Sequence, residues 1–298
     1  MKRYDKYTVA TEHEGLTIET YLKQIVQCPR RRLQKLTRAK GILLKGRNVF
    51  LQKKVKAGDV LQVLVMTDQD YGVQPEAGEI SVLFEDAQII VLDKAAGQLV
   101  HPAGQTDGGT LANFLAYYFQ TKGILVTIRP IHRLDRDTSG CVAFAKDART
   151  QTEMERQLLN GEFKRNYLAL VQGVPEQEGI IDEPIGHCPG KPNRRMIRPE
   201  GDRAITHFRT VQTLSDAALL ELSLATGKTH QIRVHLVHIG HPIIGDGMYG
   251  RRSSIIKRQA LHAATLCFRH PHTAQMVTVS APFPADMLRA MDDLVKSR

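Results

Sequence analysis

The segment Pro130-Ile131-His132-Arg133-Leu134-Asp135-Arg136-Asp137-Thr138-Ser139-Gly140 sets two carboxylates and two guanidinium groups between the apolar runs 123–128 and 141–145. Both runs are expected to be strands, which puts the charges where a buried sheet meets solvent. An ionised carboxylate in such a place can act as a nucleophile, and Asp135, flanked by Arg133 and Arg136, is the candidate. Asp135 with Asp137 also reads as a carboxyl pair of the glycosidase type. The plain alternative is a salt-bridged turn completed by Thr138, Ser139 and Gly140.

Other patterns suggest chemistry and fail on spacing. Gly227-Lys228-Thr229 imitates the end of a phosphate-binding loop, but Leu222 stands where the first glycine of that loop belongs. His235, His238 and His241 follow one another in steps of three, which rotate around a helix, and no nearby carboxylate or thiol completes a ligand set, so no metal is expected. Cys28, Cys141, Cys188 and Cys267 are scattered without a Cys-x-x-Cys pair and read as reduced thiols.

The motif His-Arg-Leu-Asp-Arg-x-Thr-Ser-Gly, His132 to Gly140 with Asp137 in the variable place, resembles the signature of the RluA-type pseudouridine synthases. The resemblance recurs along the chain: Asp93-Lys94-Ala95-Ala96-Gly97 with His101-Pro102, Asn166-Tyr167-Leu168, Gly227-Lys228-Thr229-His230-Gln231-Ile232-Arg233-Val234-His235, and Leu261-His262-Ala263. Departures are small: Ala95 replaces a usual Pro, Arg165 a usual Lys, Lys228 a usual Arg, and Gly247 a frequent Pro. The resemblance implies isomerisation of uridine to pseudouridine in RNA, with Asp135 as nucleophile, Tyr167 stacked on the target base, and Arg233 as the ion-pair partner of Asp135. It further implies Leu261, Arg133 and Lys228 as substrate-binding residues, with Arg133 filling the space of a flipped uridine or holding a phosphate. Read from the residues alone, Tyr167 and Leu261 are equally ordinary core side chains, and Arg233 a surface cation. The implied reaction is redox-neutral and calls for no cofactor. Two rivals are a catalytically silent RNA-binding protein and a uracil-releasing RNA glycosidase.

Of 298 residues carrying a net charge of +10, the window from Arg30 to Lys56 holds 11 Lys or Arg and no Asp or Glu, leaving 30 basic against 31 acidic residues elsewhere. Such a patch suits a polyanion, because each cation meeting a phosphate releases condensed counterions. Helical spacing of Leu16, Ile18, Leu22, Ile25 and Val26, a second helix over 31–39, strands at 42–44 and 60–65, and a turn at 45–48 make this a small α/β module. Arg31-Arg32-Leu33-Gln34-Lys35-Leu36 through Ala57-Gly58-Asp59-Val60 resembles the S4-type RNA-binding domain, with Arg31, Arg32, Lys35, Arg38, Lys45 and Arg47 as expected RNA contacts.

The remaining elements define the frame that must position the charged segment. Strands are expected at 80–84, 89–92, 141–145, 167–172, 205–212, 219–224, 261–268 and 276–280, and helices at 111–120, 148–159, 230–239 and 285–296. Runs of strands with few helices indicate an α+β catalytic domain on a mainly antiparallel mixed sheet. The domain map is then 1–66 S4-like, 67–79 linker, 80–298 catalytic. Residues 188–202, rich in Arg, read as a loop over the cleft. With no apolar run of about 18 residues and no leader, the chain is expected to be a cytoplasmic monomer whose partner is RNA and not a membrane. By family association, large-subunit ribosomal RNA is favoured over transfer RNA.

Overall fold

A computed structural model describes residues 3–28, 30–65 and 68–296. The chain divides into two compact units, Met1–Gln69 and Asp70–Arg298. In the first, strand β1 (Tyr4–Thr8), helices α1 (Ile18–Gln24) and α2 (Arg30–Arg38), and strands β2 (Ile42–Leu44), β3 (Arg47–Asn48) and β4 (Val60–Leu64) form a sheet of order β1-β4-β2-β3 beside two helices. Thr17 caps α1 by accepting from the Thr20 backbone N–H at 3.1 Å. Ile18, Leu22, Leu33, Leu36, Leu61 and Val63 close its core. Lys35 and Arg38 on α2 are exposed, as are Lys45 and Arg47, while Arg32 is half-buried and the Arg31 side chain lies outside the described residues. The expected turn at 45–48 is tighter than its sequence suggests. Only Lys45 and Gly46, both at positive φ, form the turn, and Arg47 and Asn48 pair with Leu44 and Leu43.

The second unit contains β5 (Ser81–Glu85), β6 (Ile89–Lys94), α3 (Leu111–Thr121), β7 (Arg129–Pro130), β8 (Ser139–Ala145), α4 (Ala148–Leu159), β9 (Lys164–Gln172), β10 (Glu178–Asp182), β11 (Ile185–Cys188), β12 (Lys191–Ile197), β13 (Ile205–Thr213), β14 (Ala217–Leu224), α5 (Gln231–His238), β15 (Leu261–Arg269), β16 (Met276–Ser280) and α6 (Ala285–Lys296). Its main sheet runs β10-β13-β14-β9-β15-β8-β6-β5 and is antiparallel except where β15 and β8 run parallel. β8 is buried along its whole length because both faces are covered. Val142 and Phe144 pack with the α3 residues Leu115 and Phe119, whereas Cys141, Ala143 and Ala145 pack with Met154, Phe163 and Phe268. The parallel pairing lasts for two residue pairs, Ser139 with His262 and Gly140 with Ala263. Gly140 has φ +110, and a Cβ there would run into the Ala263 backbone, so the close approach of the two strands requires glycine.

Two expectations are corrected. Residues 123–128 form no strand: Ile128 N–H donates to Tyr71 O at 2.8 Å and Thr127 Oγ1 to Asp70 O at 3.0 Å, so the neighbour of this run is an irregular segment without a ladder to extend. That segment is the expected linker. Met66 and Thr67 lie outside the described residues, but from Asp70 onward the chain is fastened to the second unit, with Asn113 Nδ2 donating to Gln74 O at 2.8 Å and Glu76 Oε2 accepting from Gly109 N–H at 2.6 Å. Tyr71 and Val73 pack on the core.

His132 and His262 are buried as neutral rings. His132 Nε2 accepts from the Ala143 N–H at 3.3 Å, and burial, then the charge of Arg165, pushes the ring down from 6.5 to about 3. Burial likewise takes His262 from 6.5 to about 4. Both folded pKa values are depressed, so the stability they contribute is complete above pH 6.5 and is lost as the pH falls toward 4, at up to about 1.4 kcal/mol per pH unit for each ring. Urea midpoints measured between pH 6.5 and 4.5 should fall less steeply for His262→Gln than for the parent chain. Equal slopes would mean that His262 takes up its proton at the same pH in the folded and unfolded chains.

Candidate active site

Asp135 lies just before β8, where the β8–β15 parallel pair begins. Its Oδ2 accepts from Arg233 Nη1 of α5 at 3.0 Å, although 98 positions separate them. The same guanidinium makes a two-point bond to Asp246, Nε to Oδ2 at 2.7 Å and Nη2 to Oδ1 at 2.9 Å. Asp246 Oδ1 accepts in addition from the N–H groups of Met248 and Tyr249. The three groups differ in access: the Asp246 side chain is 1% exposed, Arg233 6% and Asp135 22%. Burial alone would raise Asp246, but the hydrogen bond and charge of Arg233 outweigh it and hold the carboxyl below its usual range. Burial would likewise lower Arg233, and its bonds to Asp246 and then the charge of Asp135 push it up instead.

A third group reaches Asp135 from the start of α5. His230, in the left-handed region at φ 59, places Nε2 3.8 Å from Asp135 Oδ1 while Nδ1 shares a 2.8 Å hydrogen bond with Tyr249 Oη. Tyr249 Oη also accepts from the Arg195 N–H at 2.8 Å, and the Tyr249 ring lies under the Arg233 guanidinium, 4.9 Å to its centroid. Most of the Arg-rich stretch expected as a loop is therefore part of a hairpin, β11–β12, with a register shift between His187 and Cys188, fastened through Arg195 to Tyr249 and through Arg194 to Met248 O.

Lys94 and Arg258 also hold the backbone of the Asp135 loop. Lys94, fully buried at the end of β6, donates to Ala95 O, Gln98 O and Arg136 O at 2.7, 2.7 and 2.8 Å. Burial pushes Lys94 down to about 7, against the opposing charge of Asp137. Arg258 Nη1 donates to Asp137 O and Leu261 O at 3.2 and 3.1 Å, while its other arm grips Asp286 of α6 at 2.7 and 2.9 Å.

Two cavities meet at Asp135. One, of about 420 Å³, is lined by Tyr167, Leu261, Arg165, Lys228 and Arg233 among others. The second, of about 1140 Å³, carries Arg133, Arg136, Arg195, Arg252, Lys257 and Arg258. Arg133 lines both and is exposed. Tyr167 and Leu261 are buried, on neighbouring strands β9 and β15. Burial raises the Tyr167 hydroxyl, which Arg165 partly opposes. Lys228 pairs with Asp202 at 3.3 Å. The structure thus brings Asp135, Tyr167, Arg233, Leu261, Arg133 and Lys228 around one site. The neighbours of Asp135 in sequence are not its partners, however: Arg136 turns to Asp137 at 3.1 Å, and the charge on Asp135 is met by Arg233. His235 is engaged by Thr206 Oγ1 at 2.9 Å and Glu183 O at 3.0 Å. Sequence reading missed Asp246, Tyr249, His230, Lys94 and Arg258. Asp246 had one signal, an Asp between two glycines just beyond the Arg233 helix.

Residues 88–238 match the family model "RNA pseudouridylate synthase", and residues 6–61 match "RluD ribosomal pseudouridine synthase N-terminal domain". The chain belongs to the RNA pseudouridylate synthase family. Similar proteins include the Bacillus subtilis "Uncharacterized RNA pseudouridine synthase YhcT", 37% identical over 93% of this chain and 92% of the relative. Another is "Ribosomal large subunit pseudouridine synthase D" of Nitrosomonas europaea, 38% identical over 94% of this chain and 85% of the relative. Among solved structures, "Human RNA Pseudouridylate Synthase Domain Containing 1" shares the fold, with a TM-score of 0.60 at 24% identity, over 74% of this chain and 96% of that one. The protein is an RNA pseudouridine synthase: it converts uridine in RNA to the C-glycoside isomer.

The unequal burial of the two carboxylates sets their unequal structural weight in this synthase. Asp246→Ala leaves Arg233 sealed in the fold with its main counter-charge gone and should cost about 3–5 kcal/mol of unfolding free energy. Asp135→Ala leaves the Asp246 pair intact and should cost less than about 1 kcal/mol. Urea unfolding of both variants decides; the opposite ranking would make Asp135 the group that neutralises Arg233.

Proposed function

We propose that this pseudouridine synthase isomerises uridines of large-subunit ribosomal RNA, with Asp135 as the nucleophile, Arg233 as its orienting partner and Tyr167 against the target base. The observation that carries the reading is Asp135 itself, partly exposed where two cavities meet and held by a guanidinium that a buried carboxylate fixes from behind. One Asp135 oxygen is held by Arg233, so the attacking geometry is set before substrate arrives. The smaller cavity suits a single flipped base between Tyr167 and Leu261, and the larger, lined by arginines, suits the phosphates beside it. Lys228 and Arg133 border the base cavity as substrate contacts.

The ribosomal target rests on relatives named for the large ribosomal subunit and on the match of residues 6–61 to a domain named for ribosomal synthases. In that unit Arg31, Arg32, Lys35, Arg38, Lys45 and Arg47 belong to the 11-cation window and are the proposed RNA contacts. The reading includes a monomer acting in the cytoplasm without coenzyme or membrane attachment. No helix of the described residues is long and apolar enough to cross a membrane.

Asp135→Asn should abolish pseudouridine formation while leaving RNA affinity within a few-fold, because the amide keeps the shape and loses the nucleophile. Arg233→Ala should cost several kcal/mol in activity, and adding it to Asp135→Asn should change little further, since both remove one catalytic unit. Isomer yield from uridine-labelled RNA checks these points; appreciable turnover by the Asn variant, free of deamidation, sinks the nucleophile assignment, and release of free uracil would indicate a glycosidase.

Deleting residues 1–69 should weaken binding to full-length ribosomal RNA and flatten its salt dependence, with conversion of a short substrate at high concentration retained. An unchanged salt slope in the truncated protein would remove the RNA-binding role from the first unit.

A further inference from the structure

Arg165 is as deeply buried as Arg233, 7% against 6% exposed, and is differently served. Arg233 has two carboxylates. Among the described residues Arg165 pairs with none: its Nη2 donates to Thr226 O at 3.1 Å, and its Nε has no partner. The guanidinium lies against Gly227, where a Cβ would come within 2.8 Å of Nη1. Alternation along β9 sends Arg165, Tyr167 and Ala169 inward and leaves Lys164, Asn166 and Leu168 on the other face, so Arg165 and Tyr167 share one side of the strand. Both line the cavity that reaches Asp135 and Leu261.

A buried cation without a counter-charge destabilises the fold, and the natural relief is an anion that arrives with the substrate or forms during the reaction. We propose that Arg165 is a catalytic residue of this synthase, its guanidinium donating to a uracil carbonyl oxygen as negative charge collects on the base. The charge arises on either nucleophilic route open to Asp135, and equally if Asp135 assists elimination from the sugar, where uracil leaves with the C1′–N1 electron pair. If the carboxylate bonds to C1′, the C1′–N1 bond breaks and its electron pair spreads over N1, O2 and O4 of the uracil. If the carboxylate adds to C6, the C5=C6 pair moves onto O4. Either way the reaction ends when C5 has bonded to C1′, the carboxylate has left, C5 has released its proton and N1 has taken one up, with no oxidant or second substrate. Uridine bears no such charge before reaction, so the guanidinium acts on the transition state more than on binding. A backbone phosphate is the other anion the substrate offers; it is charged from the outset and would draw on Arg165 in binding.

The inference rests on Asp135 as the nucleophile in this cavity, and Asp135→Asn removes turnover whatever the base. The test compares Arg165→Met and Arg165→Lys with the parent enzyme in single-turnover loss of the N-glycoside, using RNA that carries uridine or 5-fluorouridine at the target. Fluorine stabilises the anionic base and lessens the demand on the guanidinium. Arg165→Met should slow the uridine reaction about 100-fold or more, and the 5-fluorouridine reaction at least about tenfold less severely. RNA Kd should stay within about twofold, Arg165→Lys should recover part of the rate, and the Tm of Arg165→Met should hold or rise as an unpaired buried charge is removed. The proposal is overturned by a uridine rate within about threefold of the parent, by a weakened Kd with a normal rate at saturating RNA, which would assign Arg165 to a phosphate, or by equal losses on both bases with a lowered Tm, which would make its role structural.

Discussion

Arg233 stands between two carboxylates, and the rest of the site is arranged around that fact. A guanidinium buried on α5 has to be neutralised where water cannot reach it. Asp246 does this with two parallel bonds and is itself fixed by the N–H groups of Met248 and Tyr249. The remaining nitrogen of Arg233, Nη1, donates to Asp135, so this partly exposed carboxylate is positioned by a cation that is already held. Geometry at the Asp135 carboxylate therefore depends on a turn at residues 245–249 that is distant in sequence.

The sheet supplies the second half of the constraint. β8 and β15 start side by side, in parallel, for two residue pairs, and Gly140 is what lets their backbones come that close. Asp135 approaches from just before one of these strands, Leu261 begins the other, and Tyr167 is paired with Ala263 on the next. Lys94 and Arg258 then hold the intervening loop by its carbonyl oxygens, at Arg136 and Asp137. Fixing a loop through backbone acceptors leaves the side chains of Arg133, Asp135 and Arg136 available to the cavities.

Much of this was legible in the sequence. Strands such as β8 and β14 announce themselves as apolar runs, and the charged segment between 130 and 140 marked the end of the sheet where the two cavities meet. Asp135, Tyr167 and Arg233 were reached through motifs, and the fold brings them to one cavity. What stayed hidden depends on contacts between distant segments. Residues 123–128 have the composition of a strand, but a ladder needs a neighbouring strand and they have residues 70–71 instead. The hairpin β11–β12 is rich in Arg and short of apolar residues, so its pairing has no periodicity to betray it. Asp246 and Lys94 are single polar residues whose meaning appears only when their partners are known. Arg165 was seen only as a departure from Lys in a motif, because nothing local shows that its charge is unanswered.

The fastening of Arg258 to Asp286 has a consequence in time. A ribosome makes the Asp135 loop and β8 well before it makes Arg233 and Asp246, and later still Arg258 and the α6 carboxylate that holds it. Until α6 has emerged, the carbonyl oxygens of Asp137 and Leu261 lack their fixed donor. A growing chain thus carries Asp135 long before it carries the groups that hold it, and the site is complete only with the last helix described, not with the motif that names the family.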